Sequence, residues 1–378
     1  MRAPLDGIRI LDLTRVLAGP LATMTLGDLG AKVIKVERPG LGDETRAWGP
    51  PFDNRGESAY YLAVNRNKLS IALDLDTAAD IETVSTLLDG ADAVLDNFRP
   101  GTLERRGIDI NAVLARRAGL VWCTLTGFGP RSARPGYDFV IQAESGWMAI
   151  TGEPDGEPMK VGVALADVLA GKDAAIAVLA GLAARGDARP ASARRFFISL
   201  FGTAVSALVN VAQNALVSGA DAKRWGNAHP NLVPYQLFMA ADRPMVIAVG
   251  SDTQWQNCTR ALGLEALGSD PRLETNAGRV GHRQVVVGAV AQRVRERTAA
   301  HWLERLSDAG VPAGIVRTVR EALADVEASP LTGVAPPPPG TARLAPPRLD
   351  EHGELVRRFG WEAFRHAAAT SSPEDALS

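Results

Sequence analysis

Residues 161–184, VGVALADVLAGKDAAIAVLAGLAA, limit the folds open to this chain more than any other stretch. They read as a short apolar approach, one carboxylate at Asp167, and then a long helix rich in Ala, Leu, Ile and Val. Between Asp167 and Arg185 the only charges are Lys172 and Asp173. Apolar residues at Leu169, Ala174, Ile176, Leu179 and Leu182 crowd most faces, which predicts a buried helix. The free N–H groups and dipole at its N-terminus favour an anion, and Asp167 stands at that end. Two roles compete for it. One is a helix-capping aspartate; the other is a carboxylate kept ionised in an apolar pocket as a nucleophile.

Ahead of that helix, strand-like and helix-like segments alternate. Residues 8–13 (IRILDL) read as a buried strand and 21–29 as a helix, with Pro20 at its first position. Residues 32–36 (KVIKV) are a second strand, which completes a βαβ unit. An acidic residue, Glu37, follows, but the turn is LAGP and lacks the glycines of a dinucleotide-binding fingerprint. Residues 40–52 form a long Gly/Pro-rich loop of the kind that tends to be functional. Further strands are expected at 68–75, 93–95, 120–125 and 195–200, and further helices at 78–88 and 204–217. Most strands run into Gly, Pro, Asn or Arg, as in a doubly wound α/β sheet with a ligand crevice at the strand ends. Arg38, Lys68, Arg105 and Arg106 stand near those ends as candidate phosphate partners.

Past Gly219 the pattern changes. Residues 223–236 are irregular and hold His229; 235–249 read as a hairpin turned at 241–244. Helices near 253–262, 282–296 and 299–309 and a strand at 311–317 make a smaller α+β domain. A Pro-rich return segment, 335–347, and a last helix near 352–369 follow, and the tail 371–378 is expected to fray.

Composition narrows the class. In 378 residues, 46% hydrophobic and 22% charged, a formal net charge of −2 offers no electrostatic ground for a nucleic-acid or membrane partner. Cys123 and Cys258 make no metal or redox spacing and read as core thiols of a cytoplasmic protein.

The passages LDGIRILDLTRVLAGP, DNFRPGTLERRG, TGFGP, GYDFVIQAESG and VGVALAD resemble those of the family III CoA-transferases. Collinear similarity spans roughly residues 5–240 and weakens to about 330. RAWGPPF, NRNK and RWGNAHP with its later PYQ are most similar to the succinyl-CoA:glutarate group of that family. The resemblance implies a Rossmann-like large domain from 1–200 and 349–378, linkers at 201–224 and 331–348, and a small α+β domain at 225–330. It also implies an interlocked homodimer.

In chemistry, the resemblance implies transfer of CoA from an acyl-CoA such as succinyl-CoA to a carboxylic, and here a dicarboxylic, acid. CoA and acyl-CoA are substrates, with no bound cofactor and no metal. Asp167 is the implied nucleophile. The implied CoA contacts are Val16, Arg38, Leu73, Asn97, Phe98, Arg105, Arg106, Thr126, Gly127 and Phe128, while Asp76 stands near a position where the family has a basic contact. Arg15, Leu17, Arg46, Tyr137, Asp138 and His229 are expected at the acyl pocket, with Arg15, Arg46 and His229 as candidate cations for a distal carboxylate. The family's glycine-rich active-site loop is not found, so residues 226–236 are expected to shield the site. Its racemase branch requires a histidine before the aspartate, where Tyr137-Asp138 stands here. Tyrosine, with an ordinary pKa of about 10, is a poor base near neutrality, so transfer is favoured over racemisation. A catalytically silent CoA-binding paralogue is the non-enzyme alternative.

Overall fold

Apolar runs buried on both faces require a sheet covered on both sides; five of the six strands supply them, and the sixth, at the sheet edge, is only partly buried. In the computed structural model, which describes residues 2–185, 190–326, 328–329 and 333–367, the strands are β1 (Arg9–Leu13), β2 (Lys32–Glu37), β3 (Lys68–Ala72), β4 (Ala93–Asp96), β5 (Val121–Thr126) and β6 (Arg195–Ser199). They form one parallel sheet in the order β3-β2-β1-β4-β5-β6. The order reverses between β1 and β4, which opens a crevice at their carboxyl ends.

The helices of this part are α1 (Ala18–Asp28), α2 (Ala59–Leu62), α3 (Ala78–Gly90), α4 (Thr102–Arg105), α5 (Ile110–Arg116), α6 (Asp138–Glu144), α7 (Trp147–Ile150), α8 (Leu165–Ala183), α9 (Leu200–Ser206) and α10 (Asn210–Ser218). Alternate residues of β1 serve opposite faces. Leu11 and Leu13 join Ile34, Ile71, Val84 and Trp122 in one core; Ile10 joins Val33, Leu95, Val121 and Ala174 in the other.

Two readings change here. Helix α1 starts three residues before the expected Leu21, so Pro20 is its third residue, where its missing N–H is still one of the four a helix leaves unpaired. The expected helix at 204–217 is two helices, α9 and α10, separated near Val209, whose φ is +45°.

Helix α8 is also not buried all round. Its small residues Ala166, Ala170, Gly171, Ala174 and Ala175 face inward, while Ile176 is 62% exposed. The inward face lies so close to α1 that a Cβ on Gly171 would come within 2.6 Å of the Ala18 carbonyl oxygen.

The chain divides into a larger unit, Met1–Trp147 with Lys160–Ala220 and Val326–Ser378, and a smaller one, Met148–Met159 with Asp221–Asp325. The smaller unit has the antiparallel sheet β7 (Tyr235–Met239), β8 (Pro244–Ala248) and β9 (Ala313–Ile315). Trp255, Trp302, Phe238 and Ile247 belong to its core. In the larger unit the returning chain covers the edge strand β3. The Asp350 carboxylate accepts from Ala72 N–H at 2.7 Å, and His352 N–H donates to the Ser70 carbonyl at 3.0 Å. Such cover removes an open edge. The expected fraying tail lies outside the described residues. Among the described residues no single helix is long and apolar enough to cross a membrane.

Beneath the carboxyl ends of β1–β3 lies a buried ionic network. Asp12, fully buried, accepts from Thr14 N–H (2.9 Å), from the Thr23 hydroxyl (2.7 Å) and from Lys68 Nζ (3.0 Å). Lys68 spends its other two protons on the Pro20 carbonyl and Asn65 Oδ1, both at 2.9 Å. Burial alone would raise the Asp12 pKa, but Lys68, Lys35 and the threonine donors hold it well below the usual carboxylate range. The expectation that Lys68 meets a phosphate is therefore corrected: its charge is internal. Replacing Lys68 with Met leaves Asp12 buried and unpaired, and should destabilise the fold by about 3–5 kcal/mol. Urea unfolding of the variant beside wild type measures this.

Candidate active site

The site grows from the loops that leave β1, β4 and β5. After β1, residues 14–17 turn over the ionic network. Lys35 Nζ donates to the Thr14 carbonyl (2.8 Å) and to Asp43 (3.0 Å), and Asp43 accepts the Val16 N–H at 3.2 Å. Val16 has φ +73°, a strained conformation for a β-branched residue that persists only where its surroundings impose it. After β4, Asp96 accepts from Trp122 Nε1 and Thr124 Oγ1, both at 2.7 Å, and from Phe98 N–H at 3.1 Å. Asn97 then ties the two loops together: its Oδ1 accepts Arg15 N–H (3.1 Å) and its Nδ2 donates to the Arg15 carbonyl (2.8 Å). After β5, Gly127 and Gly136 approach so closely that a Cβ on Gly127 would lie 2.7 Å from Gly136 Cα. That contact sets the 132–137 segment as one wall of a cleft.

The cleft holds about 1050 Å³ of space open to solvent and is lined by Arg15, Val16, Leu17, Asn97, Phe98, Thr126, Gly127, Tyr137 and Asp167. A second cleft of about 1150 Å³ takes in Arg38, Leu73, Asp76 and Arg106. The two share Arg15, Phe98 and Arg99. Because they share these residues, the pair suits a single elongated ligand lying along both.

Asp167 is the third residue of α8 and does not cap it. The N-cap residue, Ala164, makes no side-chain cap bond, and the helix-start N–H groups donate instead to Asp138: Ala166 at 2.8 Å and Asp167 at 3.4 Å. Among the described residues no hydrogen bond ends on the Asp167 carboxylate. Burial, with the charge of Asp138 adding to it, pushes its pKa up to about 7. A carboxylate so destabilised as an anion, and free of donors, is suited to nucleophilic attack.

Other expected residues fall as follows. Arg106 lies in the second cleft, its guanidinium paired with Asp76 at 2.8 Å. Arg105 is exposed, donates to Thr102 Oγ1 at 3.1 Å, and lines neither cleft. Phe128 packs on Phe201 with the Arg134 guanidinium over its ring at 4.1 Å. Arg46 is not an acyl-pocket cation. It is buried, donating to Glu37, Glu57, the Tyr61 hydroxyl and the Pro347 carbonyl, and it lines neither cleft. Glu37, the residue that tempts a ribose reading, is consumed in the same pairs and by Ser70. Asp138 faces the start of α8 and is not among the cleft-lining residues. His229 belongs to the smaller unit, where its Nδ1 accepts from Asn231 N–H at 3.0 Å and its ring packs on Tyr235.

Several residues escape a reading of the sequence. Glu44, Arg99 and Arg134 line the first cleft. The Tyr60 phenol is pushed up to about 12 by burial and by the charges of Asp167, Asp138 and Asp43, and its ring meets Trp48 edge-on at 5.1 Å. The one available signal is that Trp48 lies in the long Gly/Pro-rich loop. Among the described residues no cluster of three or more His, Cys, Asp or Glu is arranged to hold a metal ion.

Comparison with known proteins identifies the family. The profile of CoA-transferase family III matches residues 5–346. The chain is 42% identical over 329 residues to succinyl-CoA:glutarate CoA-transferase of Mus musculus, covering 86% of this chain and 74% of that protein. It is 40% identical over 332 residues to succinate–glutarate CoA-transferase of Agrobacterium fabrum, covering 86% and 82%. A crystal structure of a CAIB/BAIF family protein from Brucella suis superposes with a TM-score of 0.84 at 38% identity, over 95% of this chain and 99% of that one.

The raised pKa of Asp167 has a stability cost with a definite sign. A carboxyl whose folded pKa exceeds its unfolded value of about 3.9 binds its proton more tightly when folded. The folded state therefore loses stability as pH rises from about 4 towards 7 and does not regain it above. Asp167→Asn removes that cost, so its melting temperature should exceed that of wild type at pH 8, by about 2–4 °C per kcal/mol recovered. The gain should shrink at pH 5. Thermal unfolding at both pH values checks it.

Proposed function

The chain belongs to CoA-transferase family III, and we propose that it moves CoA from succinyl-CoA or a similar acyl-CoA to a dicarboxylic acid, with Asp167 as the covalent nucleophile. The observation that carries this reading is the Asp167 carboxylate, free of donors and lining a cleft that continues into a second one holding Arg38. Relatives named as succinate–glutarate CoA-transferases support the choice of a dicarboxylic acceptor.

Asp167 attacks the thioester carbonyl and expels CoA thiolate, leaving an aspartyl–acyl mixed anhydride. The thiolate attacks the aspartyl carbonyl, forming an aspartyl-CoA thioester and freeing the donor acid. The acceptor carboxylate then attacks the thioester, and the thiolate attacks the acceptor's acyl carbon, which restores Asp167. The N–H groups of Leu17 and Ala18, at the start of α1 in the same cleft, have no partner among the described residues and can stabilise the oxyanion. Val16 N–H, held by Asp43, is not available for this. CoA binding along the second cleft, by Arg38 and Leu73, supplies energy for orienting the reacting end. Asn97 contributes by fixing the Arg15 loop.

Of the three candidate cations, Arg15 is the one left for the acceptor's distal carboxylate, since Arg46 is held internally and His229 belongs to the smaller unit. Arg15 lines both clefts and is paired only to the half-exposed Glu44, at 2.6 Å. Wild type incubated with succinyl-CoA should carry a CoA-sized, hydroxylamine-sensitive adduct in intact mass spectrometry, and Asp167→Ala should not. No adduct from any acyl-CoA, with CoA binding intact, would turn the reading to a racemase or a silent paralogue. Arg15→Ala should raise KM for a dicarboxylic acceptor by about 10-fold or more, the loss of one charged hydrogen bond, and hardly change KM for acetate. Equal effects on both acceptors would remove Arg15 from the role.

The same reading includes an interlocked homodimer with 201–224 and 331–348 as linkers. Its support is uncovered apolar surface on the larger unit: Ile176 is 62% exposed, Val209 69%, and Leu216 and Val217 of α10 nearly 80%. A second copy would bury these side chains. The reaction is assigned to the cytoplasm, a reducing compartment in keeping with the buried free thiols Cys123 and Cys258.

A further inference from the structure

We propose that Asp138 is a positioning residue for the nucleophile: acting with Gln142, it clamps the chain entering α8 and takes the helix-start N–H groups, so that the Asp167 carboxylate is left without donors. This rests on the reading of Asp167 as nucleophile.

The clamp joins α6 to α8. Asp138 Oδ1 accepts Ala166 N–H at 2.8 Å and Asp167 N–H at 3.4 Å. Its Oδ2 accepts from Gln142 Nε2 at 2.7 Å, one turn along α6. Gln142 is fully buried; its Oε1 accepts Val161 N–H at 2.8 Å, and Nε2 also reaches the Val163 carbonyl at 3.3 Å. One carboxylate and one amide thus hold both the approach, 161–163, and the first turn of α8. An acid in a helix's first turn is ordinarily stabilised by the N–H groups there. Here a second carboxylate from another helix occupies them, and Asp167 keeps its lone pairs for the thioester carbon. Hydrogen bonds to a carboxylate stabilise its charge and make it less reactive.

Other charged or titratable groups around Asp167 are Tyr60 on α2 and, around the cleft, Arg15, Glu44, Arg99, Arg134 and Tyr137. None of them accepts the N–H of Ala166 or Asp167.

The test follows formation of the CoA adduct from succinyl-CoA by quenched-flow mass spectrometry, between roughly pH 5 and pH 9, for wild type, Asp138→Asn and Asp138→Glu. Asp138→Asn should slow adduct formation by about 10-fold or more on the alkaline plateau. Removing the neighbouring charge should also move the acid limb of its pH profile down by about one pH unit. KM for succinyl-CoA should change little. Asp138→Glu keeps the charge, so its acid limb should stay at the wild-type pH while the plateau recovers in part. An Asn variant with wild-type plateau and limb overturns the clamp. So does a lowered plateau with an unmoved limb that Glu does not rescue, since loosened packing would give that. Should the Asn variant prove unfolded by circular dichroism, the Glu variant decides: a wild-type limb with a partly retained plateau supports the clamp, and adduct formation no faster than in Asp167→Ala overturns it. Absence of an adduct on wild type fails the Asp167 reading and the clamp together, whereas a wild-type adduct unaffected by Asp138→Asn fails the clamp alone.

Discussion

The interaction on which the rest depends is the pair of fully buried ion pairs Asp12–Lys68 and Lys35–Asp43. Burying four charges is costly unless each is paired and its remaining hydrogen bonds are satisfied. Here each is paired, and their further hydrogen bonds each tie a separate element. Lys68 brings β3 to the start of α1 through Pro20; Lys35 holds the Thr14 carbonyl; Asp43 holds the strained Val16 N–H and begins the turn that carries Arg46. The loop floor of both clefts is therefore set by electrostatics beneath it and not by its own sequence. The segment NRNK follows the same logic. Asn65 and Lys68 serve Asp12, Arg66 pairs with Asp28, and Asn67 binds the returning chain at 341–344.

The second constraint is the small-residue face of α8. Alanine and glycine at 166, 170, 171 and 174 let α8 lie against α1 at a distance that larger side chains forbid. Both helices start at the carboxyl ends of the sheet, so Ala18 and Asp167 line one cleft. A carboxylate at one helix start thus shares a cleft with free N–H groups at the other, the arrangement that the proposed carbonyl addition needs. Asp138 makes the arrangement asymmetric by occupying the N–H groups on the α8 side only. The large side chains displaced from the inner face lie outward, where Ile176 meets solvent in the single chain.

Much of the fold was legible from the amino-acid sequence because burial on both faces leaves a continuous apolar run. Residues 8–13, 32–36 and 120–125 differ from the strands observed by at most one residue at an end. The hairpin at 235–249 was legible from two apolar runs around a polar turn, and Asp167 from its isolation before an apolar helix. The roles of charged residues were not. Arg46 beside Trp48 looks as available as Arg15 in the chain, yet one is held by four buried partners and the other pairs with a single exposed glutamate. Lys68 was read as a phosphate partner and Asp138 as a pocket group for the same reason.

By itself, then, the sequence determined the parallel sheet, the crevice at its carboxyl ends and the carboxylate in the first turn of α8. These depend on hydrophobic periodicity and helix-end chemistry, both local. Only the tertiary structure decided which cations face the clefts, which are spent on internal anions, and that Asp138 caps the helix bearing Asp167. Those outcomes depend on which distant group fills a hydrogen-bonding position, and spacing along the chain carries no record of that.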